Sequence, residues 1–220
     1  MTVRIDGPRL GPKAGGAPDS LVVLVHGYGA NGEDLIGLAP YFQRVLPHAA
    51  FVAPDAPESV PGVPFGRQWF AITRLDPHLL AAGAGAAAPV LDAFLDAELE
   101  RQGVAPSRLA LVGFSQGTMM ALHVGLRRAV PPVAILGFSG ALVASERLPG
   151  EIRVRPPVLL IHGDSDPMVP VVAMHAAEAG LAAAGVPVAS HVAPGLGHGI
   201  DPEGLQRGMA FLAEAFGAAA

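Results

Sequence analysis

Three short stretches of the chain carry side chains whose types and spacing could do covalent chemistry. "LALVGFSQGTMMALH" places Ser115 between Gly113 and Gly117. "LLIHGDSDPMVP" offers Asp164 and Asp166, and "APGLGHGID" offers His198 between two glycines. A serine hydroxyl is a weak nucleophile until a base takes its proton. Histidine is the usual base near neutral pH, and a carboxylate fixes its tautomer. The chain order serine, acid, histidine is the one found where the serine sits on a sharp strand-to-helix turn. The chemistry on offer is acyl transfer to a serine followed by hydrolysis.

The tripeptide GFS returns in "VAILGFSGALVA", which places Ser139 between Gly137 and Gly140. With 28 glycines in 220 residues, a G-x-S-x-G match is expected by chance roughly 0.13 times per chain, so context must decide. Ser115 has the strand-like "RLALV" before it and a helix candidate, "QGTMMALHVGLRRA", after it. Its two glycines let strand and helix approach without Cβ clashes. Ser139 has Ala141 in the second glycine position, and Pro149 and Gly150 soon follow, leaving room for a short turn of helix at most. Ser139 therefore reads as a strand-end residue facing the pocket.

The residues alone leave the acid open. Asp164 follows a strand directly and could cap its turn, while Asp166 sits further out beside Pro167. His198 is the best base, because His191 lies within a strand, His162 ends one and His123 falls in mid-helix. The negative charge that develops on an acyl oxygen needs preorganised N–H donors. One is the backbone N–H of Gln116, at the positive end of the following helix. The other is expected from the loop after an early strand, where "LVVLVHGYGANGEDL" makes Tyr28 the best placed donor.

These loops need a frame. Apolar runs at 21–26, 50–54, 108–113, 133–138, 158–163 and 188–194 end in Gly or Pro and lack alternation, which suits strands covered on both faces. Helix patterns fall at 33–46, 89–102, 116–129, 170–184 and 202–216, with 78–88 readable as helix or loop. Such alternation predicts one α/β domain over 1–220, with a mostly parallel central sheet and helices on both faces. Ligands then bind at the carboxyl ends of the strands. The Pro- and Gly-rich region 54–78, which holds the one tryptophan, reads as a long ordered loop.

Composition excludes other chemistries. The chain has no cysteine, so thiol nucleophiles, disulfides and cysteine-bound metals are out. Its eight histidines form no H-x-x-x-H or H-x-H pair, and neither a P-loop nor a dinucleotide fingerprint is present. No metal and no cofactor are expected. A net charge of −5 argues against nucleic acid. The N-terminus lacks an apolar signal core, and "LLAAGAGAAAPVL" is too short for a membrane span and is broken by Pro89. A cytoplasmic protein without stable membrane insertion is expected.

From "VLVHGYGANGEDL" through "APDAP", "QWF", "VAPSRLALVGFSQG", "LGFSGAL" and "HGDSDPMVP" to "GHGI", the chain resembles the bacterial phospholipase/carboxylesterase family, close to acyl-protein thioesterases, within the α/β-hydrolase superfamily. The resemblance implies Ser115 as nucleophile, Asp166 as acid, His198 as base, and Tyr28 and Gln116 as oxyanion donors. It also implies an α/β-hydrolase fold without a large lid domain, and a shallow acyl groove lined by Trp69, Phe70 and Met168. The implied activity is hydrolysis of short-to-medium acyl esters or thioesters. Alternatives are a lysophospholipase or an acyl-protein thioesterase with a specific lipid or acylated substrate. A non-catalytic binding module on the same fold is the reading from another class, and the complete set of nucleophile, acid and base argues against it. A homodimer is open to such a chain, though no surface stripe identifies one. Two positions depart from the family's pattern: Thr118 where "GFSQGG" has its last glycine, and Ala71 where an Asp often follows the W-F pair.

Overall fold

The stretch Ser20–Val25 forms β2, and each of its six residues is buried. Leu21, Val23 and Val25 face one core while Val22 and Leu24 face a second. That division is what an unbroken apolar strand requires: both faces must be covered. The computed structural model describes residues 3–74 and 76–217. Met1 and Thr2 of the N-terminal segment, Leu75 of the 54–78 region and the last three alanines lie outside that description.

The sheet has seven strands in the order β1-β3-β2-β6-β7-β8-β9. They are β1 (Arg9–Leu10), β2, β3 (Ala49–Val52), β6 (Leu109–Phe114), β7 (Ala134–Phe138), β8 (Val158–Gly163) and β9 (Val188–Ala193). Every neighbouring pair is parallel except β1 with β3. A separate antiparallel pair, β4 (Glu58–Ser59) and β5 (Arg67–Gln68), folds 58–68 into a hairpin. Helices α3 (Pro77–Gln102), α4 (Gln116–Gly125) and α6 (Val172–Ala183) cover one face. On the other lie α1 (Gly32–Ile36), α2 (Ala39–Phe42) and α7 (Pro202–Phe216). The short α5 (Leu148–Glu151) completes the α-helices of the described residues, and no large lid is inserted among them.

Strand order reverses beside β2, which pairs with β3 on one edge and with β6 on the other. Ligands in open α/β sheets bind beyond the carboxyl ends of the strands at such a point. The loop after β2 begins at His26, and the residue after β6 is Ser115.

Two elements differ from expectation, and the 78–88 region takes one of its two expected forms. The helix pattern at 33–46 divides into α1 and α2, because Pro40 has no N–H to continue the ladder back into α1. By contrast, the 78–88 region is helical and continuous with the helix pattern at 89–102. Asp76 caps α3 by accepting from the His78 and Leu79 amides, and an alanine-rich sequence carries the helix through Pro89. At 26 residues α3 is, alone among the described helices, long and apolar enough by length and composition to cross a membrane. Its Leu91, Leu95 and Leu99 pack in the core beside α4, as in the core helix of a globular fold. The two-residue β1 carries too little pattern to be read from sequence.

Candidate active site

Ser115 stands between β6 and α4 with φ 54° and ψ −118°. Positive φ is costly for a non-glycine residue and persists only where surroundings impose it. Here its amide donates to the Phe138 carbonyl at 2.9 Å, while its own carbonyl accepts from Thr118 N–H at 3.0 Å. The flanking glycines are obligatory on contact grounds. A Cβ on Gly113 would lie 2.5 Å from the Thr118 backbone, and one on Gly117 would lie 1.8 Å from the Val25 carbonyl oxygen. Helix α4 thus starts hard against the end of β2, and its first N–H groups, beginning with Gln116, have no partner within the helix.

The loop after β2 closes on the same point. A Cβ on Gly27 would touch the Ser115 Cβ at 3.1 Å. Two backbone bonds brace this loop against the hairpin, Gly29 N–H to the Arg67 carbonyl and Arg67 N–H to the Ala30 carbonyl, both 2.8 Å. His26 fixes its start. Its Nε2 accepts from Ala56 N–H at 2.9 Å, so its Nδ1 carries the hydrogen and donates to the Gly27 carbonyl at 2.8 Å. Burial holds His26 below the ordinary histidine pKa, in the neutral form this arrangement needs.

The loops that carry His198 and Asp166 meet over the end of β8. His198 Nδ1 lies 2.7 Å from Asp166 Oδ2. A carboxylate cannot donate, so Nδ1 carries the hydrogen and Nε2 is left with a free lone pair. Asp166 Oδ1 accepts from Met168 N–H at 2.8 Å and Val169 N–H at 2.9 Å. Burial pushes this carboxyl's pKa up, but the Val169 amide, the His198 ring and the Met168 amide together hold it below the ordinary value. Asp164 is held differently: its Oδ1 accepts from Gly195 N–H at 2.7 Å and so ties its own loop to the one that carries His198. Gly163 makes room for this, since a Cβ there would lie 2.1 Å from the Leu196 carbonyl oxygen. The Phe114 ring packs beside the His198 ring, 5.0 Å between centroids. Among the described residues Ser115 Oγ has no hydrogen-bond partner; such bonds often tighten only with substrate in place.

Ser139 is strained like Ser115, with φ 49°, but it is 1% exposed and no long helix follows it. Its Oγ donates to the Gly199 carbonyl at 3.2 Å, next to His198. The glycines around it answer to Thr118: a Cβ on Gly137 would lie 2.5 Å from Thr118 Cγ2, and one on Gly140 2.3 Å from Thr118 Cβ. The second GFS thus fits the first motif's helix, and the Thr118 hydroxyl donates back to the Phe138 carbonyl at 2.8 Å.

Trp69 and Phe70, expected along a groove, are 1% and 4% exposed. They sit behind the loop after β2 instead. The Trp69 indole donates to the His26 carbonyl at 3.0 Å. The Gln116 side chain, itself fully buried, accepts from Trp69 N–H at 2.9 Å and donates to the Phe70 carbonyl at 2.8 Å. Sequence reasoning gave Gln116 only a backbone role. Its clamp on Trp69–Phe70 spans more than forty positions, and no local pattern marks it. Met168 and Tyr28 are both exposed. Among the described residues no cluster of three His, Asp or Glu could hold a metal.

Residues 13–215 match the family model described as Phospholipase/Carboxylesterase. The chain is 30% identical to the esterase YpfH of Escherichia coli strain K12 over 84% of its own length and 78% of that protein's. With acyl-protein thioesterase 1 of Gibberella zeae it shares 29% identity over 87% of this chain and 88% of the relative. Its fold superposes on the crystal structure of esterase PE8 with a TM-score of 0.93 and 46% identity, covering 97% of this chain and 100% of the other. With an α/β-hydrolase frame, a serine on a strained strand-to-helix turn and relatives of this kind, the chain belongs to the phospholipase/carboxylesterase family and is an ester hydrolase.

Proposed function

We propose that the chain is a serine carboxylesterase acting on short-to-medium acyl esters through an acyl-enzyme. Ser115 Oγ attacks the acyl carbonyl while His198 Nε2 takes its proton. Asp166 holds the ring in the required tautomer and stabilises the imidazolium that forms. The N–H groups of Tyr28 and Gln116 receive the oxyanion. The leaving alcohol or thiol departs with the proton from His198, and water repeats the cycle on the acyl-serine. Exposed Met168 and Tyr28 are apolar surface for the acyl chain to meet. The observation that carries this reading is the 2.7 Å His198–Asp166 pair, on the same sheet edge as the strained Ser115. A cytoplasmic site of action is part of the proposal, since the cysteine-free chain depends on no disulfide.

Thioesters are the second reading, supported by the relatives named acyl-protein thioesterase 1. Turnover of p-nitrophenyl esters from short to long acyl chains, by wild type, Ser115→Ala and Ser139→Ala, tests the mechanism, and an acyl-thioester series run beside it ranks the two substrates. Ser115→Ala should lose about a millionfold in kcat, while Ser139→Ala keeps measurable turnover. Unchanged rates in Ser115→Ala would defeat the mechanism. Failure of the wild type to react with a fluorophosphonate would favour a binding role.

A further inference from the structure

His162 has no part in the proposed acyl transfer, yet it is built into the acid loop. It lies in β8 and is 1% exposed. Its Nε2 is 2.7 Å from the Val169 carbonyl oxygen. The same nitrogen lies 3.2 Å from Asp166 Oδ2, the oxygen that His198 Nδ1 meets at 2.7 Å. A carbonyl has no proton to give, and an ionised carboxylate has none either, so Nε2 carries the hydrogen. The bond runs to Val169, with the N–H edge beside Asp166.

The bonds form a continuous chain. His162 Nε2–H holds the Val169 carbonyl, and Val169 N–H holds Asp166 Oδ1. That leaves Oδ2 to face His198. The terminal torsion of an Asp side chain is broad and roughly two-fold, so partners set its orientation rather than rotamer preference. Both amides on Oδ1 come from the turn that His162 anchors, and Val169 is itself buried. Without the imidazole N–H, a buried carbonyl loses its donor. Such a group is costly to leave unpaired, so the turn must move, and Asp166 moves with it.

We infer that His162 is a positioning residue for Asp166: its Nε2–H, anchored on the Val169 carbonyl, sets the 166–169 turn so that Oδ2 meets His198. This rests on the proposed Ser115–His198–Asp166 chemistry.

Two polar replacements separate positioning from space-filling. In His162→Gln the amide nitrogen reaches about as far as the imidazole Nε2. In His162→Asn it reaches only as far as Nδ1. Rates are measured with p-nitrophenyl acetate and normalised to serine titrated by a fluorophosphonate, so unfolded protein drops out. H162N should lower kcat about tenfold to a hundredfold with KM nearly unchanged, as loss of a partner that orients a catalytic group does. H162Q should stay within about threefold of wild type. A readout independent of turnover is the low-field proton resonance of His198 Nδ1–H, expected in wild type and H162Q, displaced or broadened in H162N, and absent in D166N. Equal kcat in H162N and H162Q, with an unmoved resonance, would overturn the proposal. Where H162N does not fold, H162Q decides alone: a folded variant that has lost the resonance and more than about tenfold in kcat overturns it. Ester hydrolysis abolished in S115A but unchanged in H162N sinks the positioning role and leaves the esterase reading standing. A wild type inactive on every ester, whose resonance still answers to H162N and not to H162Q, does the reverse.

Discussion

Gly137→Ala and Thr118→Ser should each destabilise the protein, and together they should cost less than their sum. Thr118 stands in the first turn of α4, with its hydroxyl on the Phe138 carbonyl at 2.8 Å. Rotating its methyl away would break that bond. A Cβ at position 137 would meet Cγ2 at 2.5 Å and Leu160 Cδ2 at 3.1 Å. Overpacking of this kind costs about 1–3 kcal/mol. Thr118→Ser deletes Cγ2 and keeps the hydroxyl, at about 1 kcal/mol for one buried methyl. In the double variant the closest atoms left are the mobile end of Leu160 at 3.1 Å and Oγ1 at 3.4 Å. The added Cβ should then cost less than about 1 kcal/mol, giving a coupling on the order of 1–2 kcal/mol. Urea unfolding of the four proteins, compared by midpoint at a common slope, measures it. Ser115 and Gln116 ride on the same turn, so fluorophosphonate labelling should slow in Gly137→Ala and recover in the double variant. Additivity within about 0.5 kcal/mol would refute the claim that Thr118 dictates the second glycine motif.

The two aspartates should separate in kinetics: Asp166→Asn lowers kcat about ten-thousandfold by spoiling the tautomer of His198, while Asp164→Ala, which frees the Gly195 amide and the Ser165 hydroxyl, costs far less. Similar losses in both would contradict the assignment. Gln116→Ala keeps the backbone N–H but orphans Trp69 N–H and the Phe70 carbonyl, so thermal or urea unfolding should show about 2–5 kcal/mol of destabilisation. A change below about 0.5 kcal/mol would mean the clamp is idle. Buried His123 is lowered to about 4 by burial and then by the Arg127 charge. A depressed histidine contributes stability that is complete above the unfolded pKa near 6.5 and drains away as pH falls toward 4, here on the order of 3 kcal/mol. His123→Leu should flatten the stability curve across that window. Parallel curves for the two proteins would count against it.

What the sequence determined by itself is local. A strand, a strained serine and a helix are written consecutively around Ser115, as are the loops that carry Asp166 and His198. The apolar runs without alternation specify a sheet covered on both faces, and the order of the pieces brings three loops to one edge. What tertiary structure decided joins residues far apart. It set Asp166 rather than Asp164 against His198, because Asp164 is taken up by Gly195. It placed Trp69 and Phe70 behind the loop after β2, since the Gln116 side chain meets their backbone there. It gave His162 the Val169 carbonyl as acceptor, with Asp166 beside it, which nothing in "LLIHGD" announces. Even the second GFS, which invites reading as a second nucleophile, takes its glycines from the Thr118 side chain on another element. Periodicity and turn chemistry are read from neighbours in the chain. Which buried polar group meets which partner is settled only when the sheet closes and leaves one place for each.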